Sequence, residues 1–469
     1  MSESHFMQIF SLIALASLWL VNTLLLWGFN NQWWRSRKVR RVLWIAPLAG
    51  AVFIGLWSLG DAMEWEFIRM IGRTLATIML TLSIAVLISL LLSGIMLTTE
   101  RIIAYIARRR RGSALHEQRM PGAVPEAAGV RLAPDSVAAA APQSVGLPDS
   151  SPVISAPAAA APVAGARPSG RIVSPRSGFP RRAQGADRRR RSFLTKTAAV
   201  IPAVTLGAAG YGLFRSEGSV LMPEITFSFP DLHPDLDGFR ILHLSDIHIG
   251  YYVELNDLEK VMRSAVEQRP DLVLISGDIS DDLTVLPDVL RVMAALKPRY
   301  GMYASLGNHE YFRGIREVLR IIEAGPIPLL RDTGVGIKVG GGTLYVGGAD
   351  DPVSMARREE NYRFLHRTVD AAFDGAPSDA FHLLMSHRPQ GFDIAADQKI
   401  HLTVAGHTHG AQMGINGRSI LEPWMRDHYL WGHYQRNGSH LYTSAGVGHW
   451  FPFRLGCPPE APVYVLKRG

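Results

Sequence analysis

The chain has 469 residues, enough for two or three domains, and its single cysteine, Cys457, excludes an intrachain disulfide. Its net charge of +8 is unevenly distributed: from Glu217 onward 24 Lys and Arg stand against 31 Asp and Glu, a net of −7, which leaves +15 for the first part. A nucleic-acid-binding role is therefore excluded for the C-terminal region, because that region is acidic. Without a second thiol, Cys457 is expected to be buried or inert.

Residues 1–111 contain three apolar segments long enough to cross a bilayer: Phe10–Phe29, Val42–Leu59 and Leu75–Leu97. A signal peptide is the alternative for the first segment, but the sequence has neither a positive n-region before it nor a small-residue cleavage site after it. Basic stretches lie at Arg35–Arg41 and Ile106–Arg111. The positive-inside rule therefore places the N-terminus outside and Arg111 in the cytoplasm, and the same basic residues could also bind anionic lipid head groups.

Residues 112–186 are rich in Ala, Pro, Ser and Gly, which predicts a disordered cytoplasmic linker. Residues 187–215 begin with D-R-R-R-R-S-F-L-T-K and continue as a mild apolar run. This segment resembles an internal twin-arginine export signal, which implies the twin-arginine export machinery as a partner. The alternative is an ordinary fourth span with a basic flank. Both interpretations place Arg191 inside and Ser216 outside, and we expect a retained anchor rather than cleavage.

Residues 225–469 have the pattern of a globular domain. Short runs rich in β-formers predict strands at Arg240–Leu244, Leu272–Ser276, Met302–Leu306, Gly336–Val339, Thr343–Val346, Phe381–Met385, His401–Ala405, Leu441–Ser444 and Val463–Lys467. Helical periodicity predicts helices at Leu255–Val266, Val285–Leu296, Ile315–Ala324 and about Arg357–Ala372. Strands and helices alternate up to His409 and strands alone follow, which favours an α/β fold with two facing sheets and helices outside.

A polar cluster follows each of five predicted strands: S-D-I-H (Ser245–His248), G-D-I-S-D (Gly277–Asp281), G-N-H-E (Gly307–Glu310), S-H-R-P (Ser386–Pro389) and G-H-T-H (Gly406–His409). In open α/β sheets, ligands bind beyond the carboxyl ends of the strands. The Asp, Asn and His side chains offer nitrogen and oxygen donors and no thiolate, a set that suits Mn, Fe or Zn. One such cluster is compatible with a polar turn, but five in succession predict a metal centre.

The ordered array resembles the calcineurin-like metallophosphoesterase superfamily, whose signature is D-x-H, G-D-x-x-D, G-N-H-[D/E], a lone His and G-H-x-H. The resemblance covers the chain from about Arg240 to the C-terminus and includes all five blocks. It implies a four-layer αββα sandwich, with two mixed β-sheets flanked by helices, for residues 225–469. It also implies a metal-dependent phosphoric ester hydrolase with two divalent metal ions.

The resemblance further implies a role for each motif residue. The first metal would be held by Asp246, His248 and His409, and the second by Asn308, His387 and His407, with Asp278 bridging the two. Paired metals about 3.5–4 Å apart activate a water molecule and neutralise charge on the attacking and leaving oxygens. His309 would protonate the leaving oxygen or stabilise the charge that builds on it, and Asp281 would orient His309.

One position departs from the phosphoprotein phosphatases of this superfamily, which carry G-D-x-V-D-R-G with an Arg that clamps phosphate. Asp282 stands where that Arg would be, which favours a phosphodiester or pyrophosphate substrate. Arg313 and Arg388 are candidates for a substitute substrate-binding charge, although an ordinary surface arginine is the simpler interpretation of each. The alternatives are a phosphomonoesterase and a membrane-tethered binding module without turnover, and the intact His309 and Asp281 weigh against the second.

Two aromatic clusters follow the last motif, at Pro423–Tyr434 and His449–Phe453. Their residues either pack in the core of the second sheet or form an apolar rim beside the metals that receives a lipid. The rim hypothesis assigns this role to Trp424, Trp431, Trp450 and Phe451. His433 and His449 are expected at the surface or around the metal ligands rather than among them.

Taken together, these features predict a multi-pass protein of the bacterial inner membrane with an extracytoplasmic catalytic domain. The membrane bilayer and a small-molecule or lipid phosphoester are its expected partners, with a phosphoester in an envelope lipid or a nucleotide-linked precursor as the expected substrate.

Overall fold

The structure is a computed structural model that describes residues 3–29, 34–63, 65–117, 200–215, 219–250, 252–353, 358–425, 428–449 and 451–469. By their internal contacts the residues divide into two compact units, Met1–Leu97 with Thr197–Gly469, and Thr98–Lys196. Most of the predicted linker, the Arg pair of the predicted export signal and Trp450 lie outside the described residues.

Four apolar helices precede the globular domain: α1 (Glu3–Phe29), α2 (Arg37–Ala62), α3 (Glu66–Glu117) and α4 (Val200–Arg215). The first three are long and apolar enough to cross a membrane, in agreement with the three predicted spans. Helix α3 ends at Glu117, within the segment predicted as the linker. Ala and Arg favour helix at this end of α3, and the first proline after Arg111 is Pro121.

The first sheet of the globular domain has five strands: β1 (Glu224–Phe229), β2 (Arg240–Leu244), β3 (Leu272–Ser276), β4 (Met302–Ser305) and the last strand of the chain, β13 (Val463–Arg468). They lie in the order β1-β13-β2-β3-β4, with β2, β3 and β4 parallel and β13 antiparallel to β2. Helices α5 (Leu255–Glu267), α6 (Leu286–Ala294), α7 (Asn308–Phe312) and α8 (Ile315–Glu323) follow β2, β3 and β4 along the chain.

The second sheet has six strands: β5 (Thr333–Val339), β6 (Gly342–Gly348), β7 (Phe381–Met385), β8 (Leu402–Ala405), β11 (Gly432–Arg436) and β12 (Ser439–Thr443). Their order is β11-β12-β8-β7-β6-β5, in which β12, β8, β7 and β6 are parallel and the two edge strands are antiparallel. Helices α9 (Arg358–Ala372) and α10 (Gly391–Asp397) accompany this sheet, and β9 (Gly414–Ile415) and β10 (Arg418–Ser419) form a separate short hairpin. Helix α10 was not predicted, because seven residues that begin with glycine carry too little helical periodicity.

The main core lies between the two sheets, and the packing of strand β3 explains why its first four residues are all apolar. Leu272 and Leu274 pack in the cluster between the sheets, whereas Val273 and Ile275 pack against the helices on the other face. Helices α9 and α10 cover the outer face of the second sheet, where Leu365 is part of the packing. The predicted four-layer arrangement of two mixed sheets flanked by helices is therefore confirmed.

Candidate metal centre

The predicted site residues follow the carboxyl ends of five parallel strands from both sheets. They are Asp246 and His248 after β2, Asp278 and Asp281 after β3, Asn308 and His309 after β4, His387 after β7, and His407 and His409 after β8. All of them are buried except His309 and His407, which are partly exposed. The fold therefore brings residues that are up to 163 positions apart in the chain to one edge of the sandwich.

Five of these residues adopt the left-handed backbone conformation, which residues other than glycine rarely adopt. Their φ angles are 51° at Asp246, 52° at His248, 51° at Asp278, 71° at His407 and 49° at His409. Backbone hydrogen bonds stabilise this conformation. For example, the N–H of His248 donates to the carbonyl of Asp278 at 3.0 Å. Backbone conformations of this kind persist where the surrounding structure imposes them, and they concentrate at functional sites.

The first cluster consists of Asp246, His248 and His409, which each offer one ligand atom within 4.8 Å of the others. His248 Nε2 lies 3.2 Å from His409 Nε2, and His409 Nε2 lies 3.4 Å from Asp246 Oδ1. These three side chains are the ones predicted to hold the first metal. Two imidazole nitrogens and a carboxylate converging on one point are a donor set that suits Mn, Fe or Zn.

The second cluster consists of Asp278, His387 and His407, with Asn308 beside them. His387 Nε2 lies 3.2 Å from both Asp278 Oδ2 and Asn308 Oδ1. His407 Nδ1 is 3.3 Å from the same His387 nitrogen. His387 Nδ1 lies 2.8 Å from the carbonyl oxygen of Ser276, which can only accept, so Nδ1 carries the proton and Nε2 is the nitrogen available to a cation.

Asp278 lies between the two clusters. Its Oδ2 atom is 3.2 Å from His387 Nε2 in the second cluster and 3.7 Å from His248 Nε2 in the first. Its other oxygen, Oδ1, accepts the backbone N–H of His309 at 2.9 Å, which fixes the orientation of the carboxylate. This is the position that a ligand shared by two cations would have.

The protonation of the imidazoles fits a site that binds cations. Burial, together with the charge of His387, lowers the pKa of His407, and burial with the charge of His248 lowers that of His409, so both rings are neutral, as metal ligands must be. Burial opposes protonation of His387, but the carboxylates of Asp278 and Asp246 outweigh it and raise its pKa to about 10. The raised pKa reflects uncompensated negative charge, which a bound cation would neutralise while displacing the proton.

His309 and Asp281 form an adjacent pair at the opening of the site. His309 Nδ1 lies 2.6 Å from Asp281 Oδ1, and the other oxygen of Asp281 lies 3.2 Å from His248 Nδ1. Burial would lower the pKa of His309, but the charges of Asp278 and Asp281 raise it to about 9. Because cations bound at Asp278 would lower this pKa again, His309 would then titrate nearer to neutrality, where proton transfer is most efficient.

Glu310 is a residue of the site to which the sequence analysis gave no role, although it is the last letter of G-N-H-E. Its buried carboxylate accepts the backbone N–H groups of Gly307 at 2.7 Å, Asp278 at 2.9 Å and Ile279 at 2.8 Å. It thereby ties the loop after β3 to the start of α7. The signal available in the sequence was an acidic residue at the third position of a helix, as in a capping box.

Arg313 and Arg388 are not ordinary surface residues, so the simpler interpretation of both was wrong. Arg313 donates to Asp281 Oδ1 through Nη2 at 2.9 Å and Nε at 3.1 Å, and 11% of its side chain is exposed. Arg388 pairs with the buried Asp351 at 2.8 Å, and its Nη1 lies 3.4 Å from His407 Nε2. Each guanidinium is thus anchored by a carboxylate next to the predicted ligands, and Asp351 is a partner that no sequence motif indicated.

Arg454 is a second residue that no motif indicated. Its buried guanidinium donates through Nη2 to the carbonyls of Ala445 at 2.9 Å, Gly446 at 3.3 Å and Gly448 at 2.6 Å. This loop also donates the N–H of Gly448 to the carbonyl of Asp246 at 2.8 Å. Arg454 therefore positions the loop that supports Asp246 from behind.

Gly406, the glycine of G-H-T-H, lies so close to the carboxylate of Asp246 that no side chain fits between them. A Cβ atom at Gly406 would lie 2.1 Å from Asp246 Oδ2, a distance that real atoms do not show. Gly406→Ala should therefore displace this carboxylate and weaken metal binding by about 10–100-fold, the usual cost of disturbing the support of a ligand. Titration of the apo protein with Mn or Zn by calorimetry measures the effect.

Gly336→Ala is the matched control for Gly406→Ala. A Cβ atom at Gly336 would meet only ordinary contacts of 3.8 Å, so this change should leave metal affinity unaltered. Wild-type affinity in the Gly406→Ala protein would contradict the role assigned to this close approach.

The aromatic residues divide between core and surface. Trp431 is 5% exposed, and its indole N–H donates to Glu460 Oε1 at 2.9 Å, so the hypothesis that it lies on the rim was wrong. Trp424 is 79% exposed, Phe451 is partly buried, and Trp450 lies outside the described residues.

His449 is buried beside Tyr252, whereas His433 is exposed, as expected for a surface residue. Cys457 is buried, as predicted.

Comparison with known proteins finds similarity over part of the chain. Residues 239–411 match the calcineurin-like phosphoesterase family. The uncharacterized metallophosphoesterase YkuE of Bacillus subtilis is 27% identical over 293 residues, which are 59% of this chain and 97% of YkuE. Phosphodiesterase YaeI of Escherichia coli is 26% identical over 298 residues, 59% of this chain and 98% of YaeI. A transmembrane protein with a metallophosphoesterase domain from Danio rerio is 26% identical over 273 residues, 56% of this chain and 61% of that protein.

Proposed function

We propose that this chain, which carries a calcineurin-like metallophosphoesterase domain, hydrolyses a phosphodiester or pyrophosphate bond with two divalent metal ions. The observation that carries the proposal is the position of Asp278 Oδ2, which lies 3.2 Å from His387 Nε2 in one cluster and 3.7 Å from His248 Nε2 in the other. A carboxylate shared in this way is what a pair of neighbouring cations requires, and the His and Asp clusters support a metal-dependent phosphoesterase.

The residues present fit two hard or borderline divalent cations such as Mn, Fe or Zn. Asp246, His248 and His409 would hold the first, His387, His407 and Asn308 the second, and Asp278 both. The fit rests on the chemistry of the donor set and on the raised pKa of His387, which marks excess negative charge. When bound, the cations would activate water and stabilise charge on the phosphoryl oxygens.

His309 would donate the proton that the leaving oxygen needs. It is partly exposed at the opening of the site, whereas Asp281 behind it is buried. Asp281 binds His309 Nδ1, which fixes the ring orientation and leaves Nε2 as the nitrogen that faces the substrate. The guanidinium of Arg313 donates to the same carboxylate and keeps Asp281 in place.

A diester or pyrophosphate is favoured over a phosphoprotein because the arginine that clamps phosphate in protein phosphatases is replaced by Asp282. The carboxylate of Asp282 accepts from Thr284, through its N–H at 2.9 Å and its hydroxyl at 2.7 Å, so it caps a turn and adds no positive charge. The relative YaeI is named a phosphodiesterase, which supports the same choice.

The domain would stand on the extracytoplasmic side of the bacterial inner membrane. Two contacts with the apolar helices support this placement: the hydroxyl of Thr77 in α3 lies 2.7 Å from that of Tyr252, and the N–H of Arg454 donates to the carbonyl of Gly212 in α4 at 2.9 Å. Thr77 lies at the start of the predicted third span and Gly212 near the end of the fourth. The positive-inside topology puts both of these ends outside.

A hydrolysis screen tests the proposed function. The full chain, purified in detergent with Mn, Fe, Zn or Co, should hydrolyse a bis-aryl phosphodiester faster than the matching monoester. Preference for the monoester would replace the proposal with a phosphomonoesterase. Metal binding without turnover of either substrate, or of a pyrophosphate, would favour a binding module.

The proposed topology predicts the result of two reporter fusions. A reporter that is active only outside the cytoplasm should be active after Gly469 and silent near Gly165. Changing Arg190 and Arg191 to Lys should abolish export of the C-terminal domain if the twin-arginine machinery is used, and should have little effect on an ordinary fourth span. An active reporter near Gly165 would contradict the whole topology.

A further inference from the structure

An exposed apolar segment follows directly after the metal ligand His409. Residues 413–424, which we call the apolar hairpin, contain strands β9 and β10 and a short 3-10 helix at Glu422–Trp424. Ile415 is 66% exposed, Ile420 39% and Trp424 79%. Trp424 is the most exposed tryptophan among the described residues. Large apolar side chains clustered on the surface of a folded domain mark a surface that binds something.

The apolar hairpin is joined through one loop to the C-terminal part of helix α4. The N–H of Gly414 donates to the carbonyl of Leu455 at 2.9 Å, which joins the hairpin to the loop 451–455. In the same loop the ring of Phe453 packs so closely on Gly212 of α4 that a Cβ there would lie 2.3 Å from it. The hairpin is therefore one short loop away from an apolar helix.

A second apolar helix, α3, contacts another loop near the metal centre. The guanidinium of Arg73 in α3 lies 4.9 Å from the centre of the Tyr252 ring, and Thr77 contacts the hydroxyl of the same tyrosine. Tyr252 is four residues after the metal ligand His248, and its ring lies 6.0 Å from that of His449. Apolar helices thus contact two loops near the metal centre, the one that contains Tyr252 and the one that contains Phe453.

The bilayer is the occupant that these features favour for the hairpin surface. Tryptophan is enriched at membrane interfaces and isoleucine adds apolar surface beside it, and the hairpin is joined to a loop that contacts an apolar helix. The hairpin carries no net charge at its exposed end, because Arg418 pairs with Glu422 at 3.2 Å. Three side chains are too few for a stable protein interface, which buries about 1,600 Å² in total.

We propose that the apolar hairpin docks on the outer surface of the membrane and that the metal centre acts on the head group of a lipid phosphoester in that membrane. The docking stands on the hairpin alone, and the lipid substrate rests on the proposed hydrolase function. Phe312, which is 54% exposed with its ring 5.5 Å from that of His309, extends apolar surface to the leaving-group side. In the reaction the oxygen of water bonds to phosphorus and the bond from phosphorus to the leaving oxygen breaks. The leaving oxygen takes a proton from His309, water gives up one proton to solvent, and His309 regains a proton from solvent.

The docking is tested by labelling cysteines introduced at Ile415 and Trp424. The native thiol of Cys457 does not compete, because it is buried and burial raises its pKa to about 12. With an environment-sensitive fluorophore on Ile415→Cys or Trp424→Cys, and the full chain in nanodiscs with doxyl-labelled lipid, emission should be quenched. Val266→Cys is the matched control, because Val266 is 60% exposed at the end of α5, which leads away from the metal edge.

Each result of the labelling decides the docking. Quenching at both hairpin positions and not at Val266 supports it. Equal quenching at all three positions, or none at the hairpin, overturns it. Fluorophores that are shielded only at high protein concentration in detergent would identify a second copy of the chain as the occupant and would also overturn it.

The lipid substrate is tested by comparing two classes of substrate in nanodiscs. The double change Ile415→Ser with Trp424→Ser should lower the ratio of lipid turnover to soluble bis-aryl diester turnover by about tenfold, because interfacial burial of two large apolar side chains is lost. The lipid probes are a labelled phosphatidylglycerol and a prenyl pyrophosphate. Val266→Ser should leave the ratio unchanged.

These outcomes separate the two proposals. If the unmodified chain hydrolyses the soluble diester but neither lipid, or if the double change leaves the ratio intact, the lipid assignment is overturned while the hydrolase remains. If no phosphoester is hydrolysed with any metal, the hydrolase function fails, and the quenching experiment still decides the docking.

Discussion

Asp278→Asn should remove bound metal and abolish hydrolysis together. Asp278 Oδ2 lies 3.2 Å from His387 Nε2 and 3.7 Å from His248 Nε2, while Oδ1 accepts the N–H of His309. Asparagine lacks the negative charge, and its amide nitrogen cannot accept a hydrogen bond in place of the second oxygen. Both cation sites depend on this side chain, so the loss in turnover should exceed the about 10²–10⁴-fold that is typical of a lost proton transfer. Metal analysis of the dialysed protein and turnover of a soluble phosphodiester measure the two effects.

Asp288→Asn is the control for this change. Asp288 is an exposed carboxylate on α6 that pairs with Arg291, so the same loss of charge there should alter neither metal content nor turnover. An Asp278→Asn protein that keeps two metals per chain would mean that the two clusters do not share this ligand.

His309→Ala should lower turnover by about 10²–10⁴-fold and leave the metal content unchanged. The backbone N–H of His309, rather than its ring, donates to Asp278 Oδ1 at 2.9 Å, so alanine preserves the hydrogen bond that orients the bridging carboxylate. The ring itself contacts Asp281, which Arg313 continues to hold. The change therefore removes the proton donor and little of the scaffold.

The leaving group distinguishes proton donation from a structural role of His309. A nitrophenolate leaves without help, whereas an alkoxide needs a proton, so the loss in His309→Ala should be much larger for an alkyl ester than for a nitrophenyl ester. His366→Ala, at an exposed histidine that pairs with Asp370 on α9, is the control and should have no effect. Full turnover of the alkyl ester by His309→Ala would rule out the assignment.

Periodicity and motif order account for what could be predicted of the fold and the site. The run L-V-L-I-S of β3 is apolar at four successive positions because both faces of the strand are covered, and such a run can be recognised without knowing what covers it. The five polar clusters mark strand ends, where the chain must turn. Since the carboxyl ends of parallel strands meet at one edge, their order along the chain predicted a common site.

The contacts that support the site could not be predicted, because they join residues far apart in the chain. Trp431 is buried and Trp424 is exposed, although the two lie in the same aromatic cluster of the sequence. The indole N–H of Trp431 donates to Glu460, which is 29 positions away in the chain. Arg313 lies beside Asp281 only because β3 and β4 are neighbours in the sheet. Nothing in the sequence around Tyr252 indicates that Thr77 of an apolar helix would contact it.

The sequence by itself determined the apolar segments, the alternation of strands and helices, and the chemical types of the site residues, since each is encoded by neighbouring residues. The tertiary structure alone decided which carboxylates anchor Arg313 and Arg388, and which of the aromatic side chains after the last motif remain exposed. The physical reason is that hydropathy and helical or strand period are local properties. Distances such as the 3.2 Å between His248 and His409 arise only when the whole sandwich packs.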